Sequence, residues 1–456
     1  MINMSKEATR MPMQDPVVRK QNFDEVALGF TEEMAIREAM RCLRCRKHPC
    51  QTDGCPVHNN IPEFIAKITE GEFEAAYQVL TATTSLPAVC GRVCPQYLQC
   101  EGNCVRGKNG RPVAIGALER FVADYHRKNA VNDIEKENTD NGKKVAVIGS
   151  GPAGIACAGD LLDLGYHVTI FEKEDMLGGV LAYGIPEFRL PKDILEKEID
   201  TLYKKGAEVS LNKALGKDFT IEGLMESEGY AAVFLANGAG KPMRLQIPGQ
   251  DNDGVVSAAD FLEKINIRKQ FPEAKDILIV GGGNVAMDAC RCAVRIPGAR
   301  NVTIVYRRSA AEMPADPSEL KEAMDEGVNV MYLTAPKEVI SENGKATALK
   351  CEKMELSEPD ESGRRKPVAV PGSEFVIPCD LIVEAIGNGS DGAYGPLLDA
   401  DQRGFVVADP ETQKTSRPGV FAGGDIATGP KTVISAMGAG KRAAKSINEY
   451  IMTHFT

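Results

Sequence analysis

Apolar residues along this chain change their spacing twice, and each change marks a new kind of structure. From Phe30 to Leu43, Ile61 to Leu80 and Ile115 to Asn129 the pattern is helical. A polar stretch, Ala130 to Lys144, reads as a linker. Continuous apolar strands then appear at Lys144–Ile148 and Asp276–Val280, each running straight into a glycine-rich turn and a helical pattern. Two further apolar runs, Ala231–Leu235 and Asp380–Ala385, each end near a glycine (Gly238, Gly387) and make a matched pair of strand ends. The charged segment Glu355–Pro367 is expected to be a surface loop. Near the C-terminus, Gly419-Val420-Phe421-Ala422-Gly423-Gly424-Asp425 precedes a helix from Thr432. The fold expected is α/β: two Rossmann-like dinucleotide-binding domains preceded by an α-helical block.

The first glycine turn is Gly149-Ser150-Gly151-Pro152-Ala153-Gly154, a complete G-x-G-x-x-G. Such glycines permit a tight turn and close backbone approach, so a pyrophosphate can sit on the helix N-terminus. The next strand, Val168-Thr169-Ile170-Phe171-Glu172, ends in an acid 18 residues after Gly154, close to the ~20 expected of a ribose-binding carboxylate. The second turn is Gly281-Gly282-Gly283-Asn284-Val285-Ala286, and its following strand reads Val302-Thr303-Ile304-Val305-Tyr306-Arg307-Arg308. Tyr306 stands where Glu172 stood. Losing the acid removes repulsion of a 2′-phosphate, and two guanidinium groups supply charge-assisted bonds to it. One site therefore suits FAD or NAD and the other NADP. Two-dinucleotide flavoproteins reuse a late Gly-Asp for the flavin's ribityl chain. Gly424-Asp425 resembles that element and would complete the first unit, making the NADP domain an insertion within the FAD domain.

Composition sharpens this picture. The chain has 456 residues, is 43% hydrophobic and carries a net charge of −10, which gives no broad basic field for nucleic acid or anionic lipid. No apolar run approaches the ~18 residues of a membrane span. Residues Met1 to Lys20 lack the apolar stretch of a signal peptide, so the cytoplasm is the expected compartment. Of thirteen cysteines, eight fall between Cys42 and Cys104. They read Cys42-x₂-Cys45-x₄-Cys50-x₄-Cys55-Pro56 and Cys90-x₃-Cys94-Pro95-x₄-Cys100-x₃-Cys104. A disulfide framework belongs to exported chains. Iron–sulfur ligation fits such thiolates, and structural zinc is the other metal with C-x₂-C pairs. His48 and His58 lie nearby and are expected to be surface or hydrogen-bonded residues. Cys157, Cys290, Cys292, Cys351 and Cys379 read as ordinary buried thiols. Cys290 and Cys292 are two apart on an expected helix and would point apart, which argues against a redox disulfide.

Taken together, Cys42-Leu43-Arg44-Cys45, Gly54-Cys55-Pro56-Val57-His58, Cys90-Gly91-Arg92-Val93-Cys94-Pro95, Cys100-Glu101-Gly102-Asn103-Cys104, Gly184-Ile185-Pro186-Glu187-Phe188-Arg189-Leu190-Pro191 and the two turns resemble a known family. It is the small (β) subunit of NADPH-dependent glutamate synthase. Its relatives are the large subunit of ferredoxin:NADP transhydrogenase and the N-terminal half of dihydropyrimidine dehydrogenase. The resemblance covers nearly the whole chain. It implies residues 1–130 as a helical domain holding two [4Fe–4S] clusters, 143–254 and 391–456 as the two parts of the FAD domain, and 255–390 as the NADP domain. It implies one cluster on Cys42, Cys45, Cys50 and Cys104, and another on Cys55, Cys94, Cys100 and Glu119, with Cys90 spare. Spacing alone would instead group the cysteines four and four.

The resemblance also implies FAD contacts from Gly149, Gly151, Pro152, Ala153, Gly154, Glu172, Lys173, Gly178, Gly179, Arg189, Gly424, Asp425, Thr432 and Val433. The loop bearing Gly184, Ile185 and Pro186 would lie beside the flavin ring where hydride is transferred. NADP(H) would contact Gly281, Gly283, Asn284, Val285, Ala286, Arg307 and Arg308. The implied function is an NADPH-dependent oxidoreductase subunit passing electrons through FAD and [4Fe–4S] clusters to a large, glutamate-forming partner. The competing roles are the large subunit of a bifurcating, NADH-dependent ferredoxin:NADP oxidoreductase, working with a small flavin/[2Fe–2S] subunit and ferredoxin; an electron-input subunit for pyrimidine reduction; and a non-catalytic cluster-bearing scaffold. No nucleic-acid or membrane partner is expected.

Overall fold

A computed structural model describes residues 2–129, 140–359 and 365–455. The longer helices of the cysteine-rich block are α1 (Glu32–Ala39), α2 (Ile61–Glu70), α3 (Phe73–Thr81), α4 (Pro87–Val93) and α5 (Ile115–Asn129). The single helix expected over Ile61–Leu80 is two, because Gly71 takes a left-handed φ of 78° and its N–H closes onto Ile68 and Lys67. Most of the stretch read as a linker, residues 130–139, lies outside the described residues.

The first α/β unit follows as β1 (Lys144–Ile148), α6 (Pro152–Asp163), β2 (His167–Phe171), α7 (Lys192–Lys204), β3 (Glu208–Ser210) and β4 (Ala232–Leu235). The second comprises β5 (Val255–Ser257), α8 (Ala258–Asn266), β6 (Asp276–Val280), α9 (Asn284–Ala293), β7 (Asn301–Val305), α10 (Pro317–Asp325) and β8 (Asn329–Met331). An antiparallel excursion comes next: β9 (Thr334–Glu342), β10 (Lys345–Pro359), β11 (Arg365–Ala369) and β12 (Phe375–Pro378). Then β13 (Leu381–Glu384) closes the second sheet, and β14 (Val420–Ala422) and α11 (Val433–His454) return to the first.

Both five-stranded sheets are parallel and share the order of four strands around the glycine-turn strand, but the edge strand comes last in the chain in the first sheet and first in the second. Their orders are β14-β4-β1-β2-β3 and β5-β13-β6-β7-β8. Their central strands are buried on both faces, so they read as unbroken apolar runs. The strand order reverses beside β1 and β6, and ligands of open α/β sheets bind outside the strand ends at that switch point. In chain order the second sheet lies between β4 and β14 of the first.

One expectation is corrected. Of Glu355–Pro367, read as a surface loop, residues 360–364 lie outside the described residues, and the parts on either side are antiparallel ribbon, with Met354, Glu355 and Leu356 opposite Ala369, Val368 and Pro367. This outer part of β10 and all of β11 are half-buried or exposed, so no apolar alternation marks them.

Candidate redox cofactor sites

The first glycine turn joins β1 to α6. A methyl at Gly149, whose φ is 99°, would lie 2.4 Å from the Ala236 carbonyl oxygen, and one at Gly154 would lie 2.0 Å from the Gly149 oxygen. At Gly151 a methyl would meet no atom within 4 Å. Two glycines are thus demanded by protein packing, and the third faces open space at the N-terminus of α6. The N–H groups of a helix start, with its dipole, favour an anion there. Gly178 and Gly179 border the same space: Gly178 donates to Ser150 Oγ at 3.0 Å, and a methyl at Gly179 would lie 3.0 Å from Gly151 Cα.

Glu172 follows β2, its carboxylate buried against this turn. It accepts from Ser150 N at 3.0 Å, from Ser150 Oγ at 2.5 Å and from Glu174 N at 3.1 Å, which leaves acceptor capacity for a ribose hydroxyl. Lys173 beside it is exposed. From the far end of the chain, Gly424 packs against Ala153, and a methyl at Gly440 of α11 would lie 2.1 Å from the Ala153 oxygen. That crossing sets Asp425 and the cap of α11, Thr432 followed by Val433, beside α6. Burial raises Asp425 to about 6, and it accepts from Lys431 N at 3.1 Å.

The second turn repeats the plan. Gly281, φ 143°, would place a methyl 2.2 Å from the Ala385 oxygen, whereas Gly283 faces open space. Ala286 is buried, and Val285 is 49% exposed. Asn284 Oδ1 accepts from Asp316 N at 3.1 Å and ties this turn to the start of α10. Tyr306 packs over Gly282 and donates to the Glu312 carbonyl at 2.8 Å. Arg307 is exposed, and Arg308 keeps a buried Nε with no hydrogen-bond partner among the described residues.

Arg189, expected at the flavin, carries two ion pairs to the second unit. Its guanidinium is taken by Asp288 of α9 at 2.9 and 3.0 Å and by Glu319 of α10 at 2.5 Å. Neighbouring Phe188 packs under Arg291 and Arg295, 4.7 and 4.1 Å from its ring centre. The Gly184–Pro191 loop is therefore anchored on the second unit. Lys192, given no role by the sequence, fixes its other end by donating to the carbonyls of Leu181 at 3.0 Å, Ile185 at 2.5 Å and Leu190 at 3.3 Å. Burial lowers Lys192 to about 8. A lysine after a proline at a helix start carries no signal for such a clamp.

The eight clustered cysteines assemble across segments. Cys42, Cys45, Cys50 and Cys104 line one pocket with His48, Pro49 and Arg106. Burial, then repulsion from Cys104 and Cys42, pushes the Cys50 thiol up to about 12. Cys55, Cys94, Cys100 and Glu119 form a second group within electrostatic reach of one another, with Cys90 beside Cys94. Close backbone contacts build it. A methyl at Gly54 would lie 2.8 Å from Cys100 Cα, and one at Gly91 would lie 2.5 Å from Arg120 N. Glu119 is buried, its Oε1 has no hydrogen-bond partner among the described residues, and burial, then Glu198, raises it to about 8. Such an orphaned carboxylate among thiols fits a positively charged metal centre.

Among the described residues no three His, Cys, Asp or Glu side chains converge closely enough for one metal ion; the ligands of a four-iron cluster each bind a different iron and so sit further apart than those of a single zinc. The cysteines form no disulfide. Cys290 and Cys292 are buried in α9, and Cys290 Sγ donates to the Met287 carbonyl.

Twin dinucleotide folds behind a cysteine-lined helical block define an iron–sulfur oxidoreductase of the two-dinucleotide-fold class. Residues 19–131 match the model described as dihydropyrimidine dehydrogenase domain II, 4Fe-4S cluster, and residues 143–440 match pyridine nucleotide-disulphide oxidoreductase. The chain is 42% identical over 422 residues to the NADP(+)-dependent formate dehydrogenase subunit beta of Moorella thermoacetica, covering 87% of this chain and 59% of that one. It thus spans less than two thirds of that relative. It is 36% identical to the glutamate synthase [NADPH] small chain of Escherichia coli (strain K12), over 95% of each chain. Mycobacterium tuberculosis FprA in complex with NADPH superposes with a TM-score of 0.60 at 21% identity, over 68% of this chain and 85% of that one.

The chain belongs to the pyridine nucleotide-disulphide oxidoreductases and, within them, to the family of the glutamate synthase small chain. It is an NADPH-dependent oxidoreductase with that family's FAD and [4Fe–4S] chemistry. No helix of the described residues is long and apolar enough to cross a membrane.

Proposed function

We propose that this chain is the NADPH-oxidising subunit that delivers electrons to a large, glutamate-forming partner. The observation that carries the delivery role is the seat of the second cysteine group. Gln99, beside Cys100, bonds to the cap of α11, and Gly438 of α11 packs on Val57, two residues from Cys55. The Cys55–Cys94–Cys100–Glu119 group is thus tied to α11 of the nucleotide unit, and Cys42, Cys45, Cys50 and Cys104 are all partly exposed. Bound FAD takes a hydride from NADPH, and [4Fe–4S] clusters pass electrons singly.

The protein's part is positioning. Gly151 and the start of α6 would hold the FAD pyrophosphate, with Glu172 on a ribose and Asp425 near the ribityl chain. Gly283, Arg307 and Arg308 would hold NADPH. Lys192 fixes the loop bearing Gly184, Ile185 and Pro186. The two cysteine groups would hold two clusters, the second completed by the Glu119 carboxylate. A scaffold without catalysis would have no use for the two open glycine turns.

The 42% identity to a formate dehydrogenase beta subunit favours one second reading, in which the same module exchanges electrons with a different oxidoreductase. One experiment separates them. The chain is isolated from its native cells with whatever is bound, and supplied with NADPH, 2-oxoglutarate and glutamine. Glutamate formation dependent on a co-purifying large chain supports the synthase reading. A co-purifying dehydrogenase and no glutamate overturn it.

A further inference from the structure

Between Cys94 and Cys100 the chain makes one tight 3₁₀ turn, Gln96–Leu98. Its backbone is held from several sides. The Gln96 carbonyl accepts from Glu101 N at 2.9 Å and from Gly102 N at 3.2 Å, and Leu98 N donates to the Pro95 carbonyl at 2.9 Å. A methyl at Gly102 would lie 2.3 Å from the Tyr97 oxygen, and Gln96 Nε2 donates to the Cys90 carbonyl at 3.2 Å. This fixed turn nonetheless presents an apolar side chain to open space. Leu98 is 66% exposed, whereas Tyr97 and Gln99 are half-buried and Cys100 is buried. A single exposed leucine is ordinary on a protein surface; the place of this one is not.

The turn lies where the two nucleotide units face each other. On one side, Gln99 Nε2 donates to the hydroxyl of Thr432, the cap of α11, at 3.3 Å. On the other, the Tyr97 phenol lies within electrostatic reach of Asp316 and Glu319. Asp316 caps α10 and donates from its N–H to Asn284 of the second glycine turn at 3.1 Å. Glu319 pairs with Arg189 of the Gly184–Pro191 loop. Hydride transfer needs its reacting atoms ~3–3.5 Å apart. A dinucleotide whose pyrophosphate sits at Gly283 must therefore reach past the start of α10 toward the cap of α11, and Tyr97 and Leu98 stand beside that path. Burial, then Asp316 and Glu319, raises the Tyr97 phenol above its ordinary value, so it stays a neutral donor, and no hydrogen bond to a described residue engages it.

We propose that Tyr97 and Leu98 form one wall of the nicotinamide site, with Leu98 packed on the ring and the Tyr97 hydroxyl bonded to its carboxamide. This rests on the function proposed above and adds that the cysteine block itself takes part in recognising NADPH. An apolar side chain suits the face of the ring, and a free hydroxyl suits an amide. The segment that joins two candidate cluster ligands, Cys94 and Cys100, then also touches the hydride donor.

The test uses the full chain with its FAD and clusters and compares two ligands by equilibrium titration. One is NADP⁺. The other is adenosine 2′,5′-bisphosphate, which has the 2′-phosphate end and no nicotinamide. In Leu98→Ala the Kd for NADP⁺ should rise about tenfold, as expected for one apolar side-chain contact, while that for adenosine 2′,5′-bisphosphate stays within about twofold. Leu98→Met should restore most of the affinity. Tyr97→Phe removes a single oxygen and should weaken NADP⁺ about fivefold; it decides the matter if Leu98→Ala loses iron. Unchanged affinity for NADP⁺ in a variant replete in iron and FAD overturns the proposal. Equal weakening of both ligands also overturns it, since the turn would then shape the whole nucleotide site and not its nicotinamide end. If NADPH fails to reduce the flavin of the unaltered chain, it is the function proposed above that falls.

Discussion

Gln99 donates from Nε2 to the Thr432 hydroxyl at 3.3 Å, a contact spanning 333 residues of sequence. Thr432 caps α11 by accepting from Ser435 N, and Cys100 follows Gln99. The helix that completes the first nucleotide unit is thus tied to the loop that carries a cluster ligand candidate. Nothing in either local sequence announces the contact, and it sets which cysteine group faces the nucleotide unit.

Glu119 and Cys90 compete for one role. Both are buried at the second cysteine group, and Glu119 Oε1 has no hydrogen-bond partner among the described residues. With two four-iron clusters the intact chain should carry ~8 iron atoms. Glu119→Ala should lower iron content and alter one EPR signal of the reduced protein, leaving FAD content and the other signal intact. Cys90→Ser should keep both signals. The reverse pattern would make Cys90 the fourth ligand.

Gly151 and Gly154 sit three residues apart and should respond oppositely to the same methyl. Gly151→Ala meets no protein atom, and its φ of −68° suits alanine. That variant should fold, keep its iron and lose FAD, because the methyl enters the space proposed for the pyrophosphate. Gly154→Ala drives a methyl to 2.0 Å from a backbone oxygen and should cost at least ~1–3 kcal/mol of stability. Flavin absorbance and thermal unfolding of the two variants give the comparison.

The parallel strands and both glycine turns were readable because local physics dictates them. Buried strands such as Val145–Ile148 are apolar throughout, and a glycine is required where Ala236 or Ala385 closes on the turn. What stayed hidden depends on distant partners. The grouping of Cys55 with Cys94, Cys100 and Glu119 arises where Gly54 meets Cys100 and Gly91 meets Arg120, whereas spacing suggests four and four. The ion pairs of Arg189 with Asp288 and Glu319 join it to helices of the second unit that no local pattern links to it. The solvated ribbon of β10 and β11 has no apolar face to betray it.

Glu326 holds the N-terminal segment to the second unit. Its carboxylate is fully buried and bonds Arg19 at 2.7 Å, Arg291 at 2.7 and 3.1 Å and Arg295 at 2.7 Å. Burial alone would raise its pKa, but Arg291 and Arg295 overcome that and hold it at about 2. Its folded value lies below the unfolded one, so its stabilisation is present above the ordinary glutamate range and is lost as pH falls through about 2. Glu326→Gln leaves Arg19 and Arg295 without their carboxylate and Arg291 with Glu322 alone, and should cost about 3–5 kcal/mol at pH 7. Denaturant unfolding at pH 7 and pH 3 should show the gap between variant and parent narrowing in acid. A gap that is constant with pH would mean that the carboxylate's charge is not what stabilises this contact.

Selectivity for NADPH should reside in Arg307 and Arg308. Tyr306 occupies the place that Glu172 holds in the first unit, so no carboxylate at that strand end repels a 2′-phosphate. Arg307 is exposed, and Arg308 retains a buried Nε without a partner among the described residues. A phosphate there would gain two charge-assisted bonds, each worth ~1.5–3 kcal/mol. Removing both by alanine should raise the KM for NADPH by tenfold or more, each 1.4 kcal/mol being about a factor of ten, and leave the KM for NADH nearly unchanged. The kcat with saturating NADPH should hold, since neither residue lies at the proposed site of hydride transfer. Gly283→Ala supplies the control. Its methyl meets no protein atom but enters the space proposed for the pyrophosphate, so it should weaken NADPH and NADH alike. If the double alanine variant kept full preference for NADPH while Gly283→Ala lost both, the nucleotide would bind at this turn with its 2′-phosphate recognised elsewhere.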